Sequence, residues 1–370
     1  MAPEIEIGMG KSGRGAYDFG HVSIVPSRRT RDVDDVDVSW QIDASTFDLP
    51  VLASAMDSVV SPTSAIELGR LGGAGVLHLE GVWTRFDEPE AELARIANAD
   101  TERVHSVLAE VYSTPVRGDL VRARLTELRE SGVPVVVAVT PRNAQALLGE
   151  LRTVEPDLLV IQGSVVSAEH VSRTSEPLNL KQFVRAIDVP VIVGGCSSYQ
   201  AALHLMRTGA AGVLVGVGAG RASSTSDVLG VGSGQATCVA DARAARMRHL
   251  DETGVYCHVI ADGGVRTSAD IAKAVVCGAD AVMIGSAFAA STAAPGRGCH
   301  WGLAAAHTTL PRGGRVETPP LGSLTTIVNG PAIDGTGRTN LIGGLRKTMA
   351  LCGYQSLKEF QKADLMVTRV

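Results

Sequence analysis

Short, continuous runs of hydrophobic and small residues recur along the chain, separated by polar or glycine-rich segments. A run that is apolar at nearly every position, rather than at alternate positions, is typical of a strand buried on both faces. That is the environment of a parallel sheet covered by helices. Eight such runs predict strands, at residues 49–56, 74–79, 133–140, 157–163, 189–195, 212–218, 258–264 and 280–286.

Segments of helix-forming composition lie between these runs, at residues 64–70, 119–131, 143–153, 180–187, 199–208, 239–252 and 268–277. The long, charged stretch from 80 to 117 is also expected to be helical. A strand followed by a helix, repeated eight times with right-handed crossovers, closes most simply as a barrel. The sequence therefore predicts an α/β fold, a (β/α)8 TIM barrel. Residues 1–370 are expected to form a single domain, in which residues 49–370 make the barrel and a C-terminal segment, with a long loop after the eighth strand.

The first 48 residues lie outside this repeat and contain GMGKSG and the strand-like HVSIVPS. GMGKSG resembles a phosphate-binding loop, but it lacks the spacing G-x-x-x-x-G-K-[ST] and no strand precedes it. We therefore interpret residues 1–48 as a short N-terminal hairpin extension that caps the bottom of the barrel.

The composition narrows the possible functions. Hydrophobic residues make up 45% and aromatic residues only 4%, so Val, Ala, Leu and Ile must build the core. The net charge is -5 and no run of Lys or Arg occurs, so nucleic acid is not an expected partner. Neither a leader-like segment nor an apolar stretch of roughly 18 residues occurs, which predicts a cytoplasmic protein that does not enter a membrane. The six scattered cysteines have no metal-binding spacing, and most of them are expected to be reduced and buried.

Glycines and small polar residues follow the last three predicted strands. Residues 216–227 follow the sixth strand, Asp262-Gly263-Gly264 end the seventh and Gly285-Ser286 end the eighth. In this fold ligands bind at the strand carboxyl ends, where glycine-flanked main-chain N–H groups can hold an anion. These three neighbouring strand ends therefore predict a phosphorylated ligand. Asp262 is placed either to accept hydrogen bonds from ribose hydroxyls or to cap the helix that begins near Ser268.

Four segments carry a resemblance to a known family: LPVLASAMDSV, DGGVRTSADIAKAVVCGADAVMIGS, APGRG and NLIGGLRKTM. Together they resemble IMP dehydrogenase and GMP reductase over nearly the whole chain. More narrowly, the chain is similar to the short bacterial IMP dehydrogenase-related proteins that lack the regulatory CBS domains. The resemblance implies a purine nucleoside monophosphate (IMP, XMP or GMP) as the ligand, NAD as the cofactor, K+ as a possible activator and a homotetramer.

The resemblance also implies roles for individual residues. Ser54 and Met56 would border the purine and the ribose, Asp262 would hold the ribose hydroxyls, and Gly322 would read the base edge. The phosphate would lie on Gly263, Gly264, Gly285 and Ser286. The monovalent cation would be held by the carbonyls of Gly218, Gly220 and Ser223.

The loop after the sixth strand departs from the family pattern. Family members attack C2 of IMP with a cysteine thiolate, and Ser223 stands where that cysteine belongs. A serine hydroxyl needs an adjacent base, which this loop does not supply. Arg221 replaces a phosphate-binding serine and could itself bind phosphate. Thr225 matches a threonine near the hydrolytic water, so Ser223 and Thr225 are the catalytic candidates.

The cofactor side departs as well. The family has an acid at the end of the fourth strand, where this chain has Gln162-Gly163-Ser164, and Gly195-Cys196 replaces a Gly-Asn pair. We expect NAD to lie against Gln162, Ser164, Gly195 and Gly216. The loop from 291 to 324 lacks the family's Arg-Tyr pair that activates water. It holds instead His300, His307, Arg312 and Arg315. A loop histidine is more often solvated than a general base.

Three functions therefore remain open. The first is NAD-dependent oxidation of IMP to XMP with Ser223 in the place of the nucleophile. The second is a GMP reductase-like or specialised reaction on a purine nucleotide. The third, of a different class, is a nucleotide-binding protein without turnover that regulates or assembles with a catalytic relative.

Overall fold

The computed structural model describes residues 4–174 and 176–368. Five short strands precede the barrel: β1 (Glu4–Gly8), β2 (Lys11–Arg14), β3 (Val22–Ile24), β4 (Trp40–Ile42) and β5 (Ser45–Phe47). β1 and β2 form one antiparallel hairpin, and β4 and β5 form another. The predicted N-terminal hairpin extension is therefore confirmed, with two hairpins instead of one.

Eight parallel strands then close into a barrel: β6 (Val51–Ala53), β7 (Ala74–His78), β8 (Val136–Val139), β9 (Leu158–Gln162), β10 (Val191–Cys196), β11 (Gly212–Val215), β12 (His258–Asp262) and β13 (Ala281–Ile284). Each strand pairs with the next along the chain, and β13 pairs with β6, where Val282 lies opposite Val51. Every residue of β8 and β9 is buried, as expected for strands covered on both faces. All eight predicted strands, and the TIM barrel, are confirmed.

Helices cover the outside of the barrel and fill its loops: α1 (Pro62–Arg70), α2 (Pro89–Asn98), α3 (Val104–Ser113), α4 (Gly118–Glu130), α5 (Leu148–Val154), α6 (Leu180–Ala186), α7 (Tyr199–Met206), α8 (Thr225–Leu229), α9 (Gln235–Thr253), α10 (Ser268–Cys277), α11 (Ser286–Ala289), α12 (Leu324–Asn329), α13 (Leu341–Leu351) and α14 (Leu357–Phe360). Each predicted helix has a counterpart, and α2 and α3 occupy the long charged stretch. α5 begins later than predicted because residues 141–147 form turns.

Three further strands follow the barrel: β14 (Cys299–Trp301), β15 (Arg315–Glu317) and β16 (Leu365–Val367). β14 and β15 pair within the predicted long loop after β13. β16 pairs with β3 and so ties the end of the chain to the N-terminal extension.

The second N-terminal hairpin covers the bottom of the barrel, as predicted. Trp40 of β4 stacks on Phe47 of β5, with ring centroids 5.1 Å apart. The Trp40 ring also meets the ring of His258, the first residue of β12, at 5.9 Å. Because His258 starts its strand, this contact lies at the amino-terminal end of the barrel.

The first hairpin lies at the opposite end. Arg14 forms an ion pair with Asp241 of α9. The backbone N–H of Tyr17 donates to Thr237 Oγ1 over 2.8 Å, near the start of the same helix. Since α9 follows the loop at the carboxyl end of β11, this is the ligand end of the barrel. The prediction that the whole extension caps the bottom is therefore wrong for residues 4–21.

The core is aliphatic, as the composition predicted, with Val136, Ile192 and Leu214 fully buried. All six cysteines are buried and unpaired, which confirms their predicted state. In the described part of the chain, no helix combines the length and the apolarity needed to cross a membrane.

Candidate active site

The carboxyl ends of the barrel strands open into a cavity of about 570 Å3. Its walls come from the ends of β6, β12 and β13, from the loop after β11 and from residues 18–20. The cavity gathers predicted residues that lie far apart in the sequence: Ser54, Met56, Gly218, Gly220, Arg221, Asp262, Gly263, Gly264, Gly285 and Ser286.

A second cavity, of about 100 Å3, shares a wall with the first. The shared wall includes Asp262 and residues 217–220, and residues 302–304 from the loop after β13 line the smaller cavity. This cavity adds the predicted residues Gln162, Ser164, Gly216, Ser223 and Thr225. The catalytic and cofactor candidates therefore lie beside the ligand candidates.

Gly263 and Gly264 form a tight turn at the end of β12, with φ of 87° and 74°. Residues with a side chain rarely adopt these values, so glycine suits both positions. A Cβ atom at Gly263 would also lie 2.8 Å from the backbone nitrogen of Gly220. The turn thus lets the loop after β11 pack against the end of β12, and both loops line the larger cavity.

Ser286 begins α11, and a buried histidine holds its hydroxyl. Ser286 Oγ lies 3.0 Å from His300 Nε2, and His300 Nδ1 lies 2.7 Å from Thr318 Oγ1. Burial, followed by the nearby charge of Arg221, lowers the pKa of His300 to about 4, so the imidazole is neutral at pH 7. His300 is therefore neither a solvated loop residue nor a base exposed to substrate; it fixes the orientation of Ser286.

Asp262 ends β12 at the boundary between the two cavities. Gln162 Nε2 donates to its Oδ2 over 3.1 Å, and burial raises the pKa of Asp262 to about 7. α10 is capped by Thr267, whose side chain accepts from the Asp270 N–H. The alternative that Asp262 caps this helix is therefore wrong, and its carboxylate faces the cavities.

Ser223 lies in the smaller cavity beside Thr225. Its hydroxyl donates to Thr225 Oγ1 over 3.2 Å, and within the described residues no carboxylate or imidazole hydrogen-bonds to it. Its backbone N–H donates to the carbonyl of Gly220 over 2.9 Å, one of the predicted cation ligands. The described residues therefore offer Ser223 no activating base, and a hydroxyl without such a base is a weak nucleophile.

Neither of the two cysteines near the site supplies a thiolate in its place. Cys238 in α9 is buried, which raises its pKa, and its thiol lies 2.6 Å from Ser233 Oγ. Burial raises the pKa of Cys196, the residue after Gly195, to about 12. Thiols with raised pKa values are almost entirely protonated at neutral pH.

The smaller cavity presents neutral polar groups to a second ligand. Gln162 is 8% exposed, and its Oε1 has no hydrogen-bond partner among the described residues. An unpaired buried acceptor is costly, so this position fits a ligand group that donates a hydrogen bond, such as a hydroxyl or a carboxamide. NAD carries both groups, so Gln162 Oε1 fits a part of that cofactor.

Two predicted residues line neither cavity. The carbonyl of Gly216 occupies the space that a side chain at Gly195 would need, so Gly195 serves close packing between β10 and β11. Gly322 accepts a hydrogen bond from the Thr292 N–H over 2.8 Å and forms a bridge to Ser291. The structure therefore does not bring Gly322 to the other ligand candidates.

Sequence reasoning missed residues 18–20 and Gln235, which line the larger cavity. Asp18 Oδ1 accepts from the backbone N–H of Gln235 over 2.9 Å and so holds the start of α9. Gln235 Nε2 donates to the carbonyls of Val215 and Asp262, at 2.7 and 3.0 Å. No local motif marks these residues, because their role depends on contacts between distant segments.

Buried polar contacts hold the loop that forms residues 302–304. Tyr112 of α3 donates to Asp57 Oδ2 over 2.5 Å and accepts from Trp301 Nε1 over 2.9 Å. The guanidinium of Arg312 lies 4.0 Å from the centre of the Tyr112 ring. Arg315 donates to carbonyls at the end of α2. The helices between β7 and β8 thus anchor the loop after β13.

The structure is a TIM barrel with a two-part cavity at the carboxyl ends of its strands. TIM-barrel enzymes have their active sites at this end of the barrel. Residues 16–303 match the family model described as IMP dehydrogenase / GMP reductase domain. The chain belongs to this family, which confirms the resemblance seen in its motifs.

Its relatives are consistent with an oxidoreductase. The chain is 49% identical to an uncharacterised oxidoreductase of Mycobacterium tuberculosis, over 98% of this chain and 99% of that protein. It is 25% identical to the inosine-5'-monophosphate dehydrogenase of Methanocaldococcus jannaschii, over 94% and 91% of the two chains. The crystal structure of an IMP dehydrogenase/GMP reductase-like protein from Corynebacterium glutamicum superposes with a TM-score of 0.92 at 42% identity, covering 98% and 97% of the chains.

Proposed function

We propose that this protein binds IMP in the larger cavity and oxidises it to XMP with NAD. One observation carries the proposal. In a barrel of the IMP dehydrogenase / GMP reductase family, a single cavity gathers the residues that the family resemblance assigned to the phosphate and the ribose, together with Ser54 and Met56 beside the purine. The adjoining cavity holds Ser223 in the place of the nucleophile.

The larger cavity would hold the nucleotide in one orientation. The ribose hydroxyls would donate to Asp262, and the purine would lie beside Met56 with C2 turned toward the smaller cavity. The exposed side chain of Arg221 would add positive charge at the mouth. The phosphate would lie on Gly263, Gly264, Gly285 and Ser286.

The smaller cavity would carry the reaction. Ser223 Oγ would bond to C2 of IMP while its proton passes to the neighbouring ring nitrogen, N3. Once C2 has given up its hydride and N3 its proton, a water oriented by Thr225 would add to C2, return a proton to Ser223 Oγ and release XMP. NAD, when bound against Gln162, Ser164 and Gly216, would supply the hydride acceptor for C2. K+ on the carbonyls of Gly218, Gly220 and Ser223 would order the loop. By family resemblance, the protein would act as a cytoplasmic homotetramer.

The surroundings of Ser223 favour a second candidate. Since its only described side-chain partner is the hydroxyl of Thr225, we expect proton removal from Ser223 to be slow. The second candidate is therefore a protein that binds a purine nucleotide without turnover and regulates or assembles with a catalytic relative. A GMP reductase-like reaction needs the same attack at C2 and gains nothing from this geometry.

The test is to mix the protein with IMP and NAD and to measure NADH by absorbance and XMP by chromatography. GMP with NADPH tests the reductase reaction. Ser223→Ala is the control, expected to keep nucleotide binding and lose turnover, and Ser223→Cys is expected to raise the rate. IMP that raises the melting temperature without forming NADH would establish the second candidate. No binding of any purine monophosphate at millimolar concentration would refute both.

A further inference from the structure

Gln162 is hydrogen-bonded to Asp262, the acidic residue that lines both cavities. It ends β9, is 8% exposed and lines the smaller cavity. Its Nε2 lies 3.1 Å from Asp262 Oδ2 and 3.8 Å from Met283 Sδ. A carboxamide in this position can donate to a neighbouring carboxylate, whereas an ionised acid cannot.

Among the described residues, Gln162 is the side chain that hydrogen-bonds to the Asp262 carboxylate. The other nearby glutamine, Gln235, donates to the backbone carbonyl of Asp262 and not to its carboxylate. Besides Asp262, the ionisable groups that line the larger cavity are Asp18, Arg221, Arg266 and Asp270. Burial raises the pKa of Asp262 to about 7, and within the described residues the bond from Gln162 is what lowers it. The ionisation of Asp262 near neutral pH therefore depends on Gln162.

We propose that Gln162 is a positioning residue for Asp262: its carboxamide holds Oδ2 and leaves Oδ1 to accept from a hydroxyl of the bound ligand. The inference rests on the proposed function in taking that ligand to be a nucleotide whose ribose meets Asp262. A glutamate at position 162, with the same length as the glutamine, would bring a second carboxyl group to the place that Gln162 Nε2 now takes, 3.1 Å from Asp262 Oδ2, and one of the two carboxyl groups would then keep its proton. The amide avoids this repulsion and keeps Asp262 an acceptor.

A pH dependence follows from this arrangement. The ionised carboxylate accepts hydrogen bonds from ribose hydroxyls better than the protonated form does, so nucleotide affinity falls as the pH drops through about 7. Removing the Gln162 donor raises the pKa of Asp262 further. The midpoint of the affinity profile should then move up by about one pH unit, as expected for the loss of a hydrogen bond to a charged group.

The experiment measures IMP binding by calorimetry across the neutral pH range for the wild type, Gln162→Met and Gln162→Glu. Asp262→Asn shows which change of IMP affinity with pH belongs to this carboxyl group, because the substitution should abolish that change. Gln235→Met is the matched control, since it also deletes buried amide bonds next to Asp262 but leaves the carboxylate donor. The titration of the IMP phosphate is common to all variants and cancels in the comparison.

We expect both Gln162 variants to move the midpoint of the IMP affinity profile to higher pH. Gln235→Met should lower the stability of the protein and leave that midpoint where it is. A Gln162→Met profile with the wild-type midpoint would overturn the inference. Failure of the wild type to bind IMP at any pH would instead contradict the proposed function. In that case carbon NMR of labelled aspartate in the ligand-free protein, assigned with Asp262→Asn, still decides: equal midpoints in wild type and Gln162→Met overturn the inference.

Discussion

The neutral, buried imidazole of His300 predicts how stability depends on pH. Its pKa is about 4 in the folded protein, below the usual value of 6.5, because burial disfavours the charged form. In the unfolded chain the same imidazole takes up a proton as the pH falls below about 6.5. The stability that His300 contributes is therefore fully present above this pH and is lost progressively as the pH falls toward about 4.

The size of the effect follows from these two pKa values. Between pH 7 and pH 5 the unfolded histidine becomes almost fully protonated, while the folded one remains mostly neutral. Linkage then gives a loss of about 2 kcal/mol in the free energy of unfolding from this residue. Replacing His300 with a residue that does not titrate removes this contribution. The free energy of unfolding of the variant should therefore fall by about 2 kcal/mol less than that of the wild type between pH 7 and pH 5.

The assay is urea unfolding at the two pH values with the protomer concentration fixed. His300→Gln can keep a donor near Ser286, whereas His300→Asn keeps one near Thr318, and neither titrates. Other buried histidines contribute equally to all three proteins and cancel. Both variants should start less stable at pH 7, and His300→Gln should retain more nucleotide affinity because it still holds Ser286. Equal losses in wild type and variants would refute the reasoning.

Four further outcomes are expected. Arg221→Ala should weaken IMP binding about fivefold, or about 1 kcal/mol, in calorimetry but leave inosine binding unchanged, because only the phosphate meets the guanidinium. Gly263→Ala should lower stability by about 2 kcal/mol in urea unfolding and weaken IMP binding, because its φ of 87° is strained for any side chain. Arg246→Met should cost about 3 kcal/mol, because it removes the buried ion pair to Asp280. Arg207→Met, at an exposed pair, should cost under about 1 kcal/mol in the same assay.

The barrel could be predicted because its signal is local. Each strand is short, apolar at almost every position and followed by a glycine or a polar residue, as in the run that ends at Asp262. The ligand end of the barrel was predictable for the same reason, since strand order fixes where Gly263, Gly285 and Ser286 meet. The fold alone predicts that these residues line one cavity, without any knowledge of side-chain contacts.

The remaining features depend on contacts between distant segments. The first hairpin was placed at the wrong end because nothing in residues 4–21 reveals that Asp18 holds the start of α9. His300 was expected to be solvated because the sequence does not show that Thr318 and Ser286 both lie next to it in the fold. The pairing of Gln162 with Asp262 spans two strands, and neither strand alone indicates it.

Two of the departures from the family pattern, Ser223 and Gln162, line only the smaller cavity, whereas Arg221 lines only the larger one. Apart from Arg221, the larger cavity keeps the residues expected for phosphate and ribose, and much of that recognition would come from glycine main chain, which side-chain change leaves intact. Departures at Ser223 and Gln162 fall in the smaller cavity, where chemistry depends on the identity of the side chain. On the proposed function, a change at Ser223 would alter the rate of reaction and leave nucleotide binding in place. We therefore expect Ser223→Cys to alter turnover far more than IMP affinity, and Arg221→Ala to do the reverse.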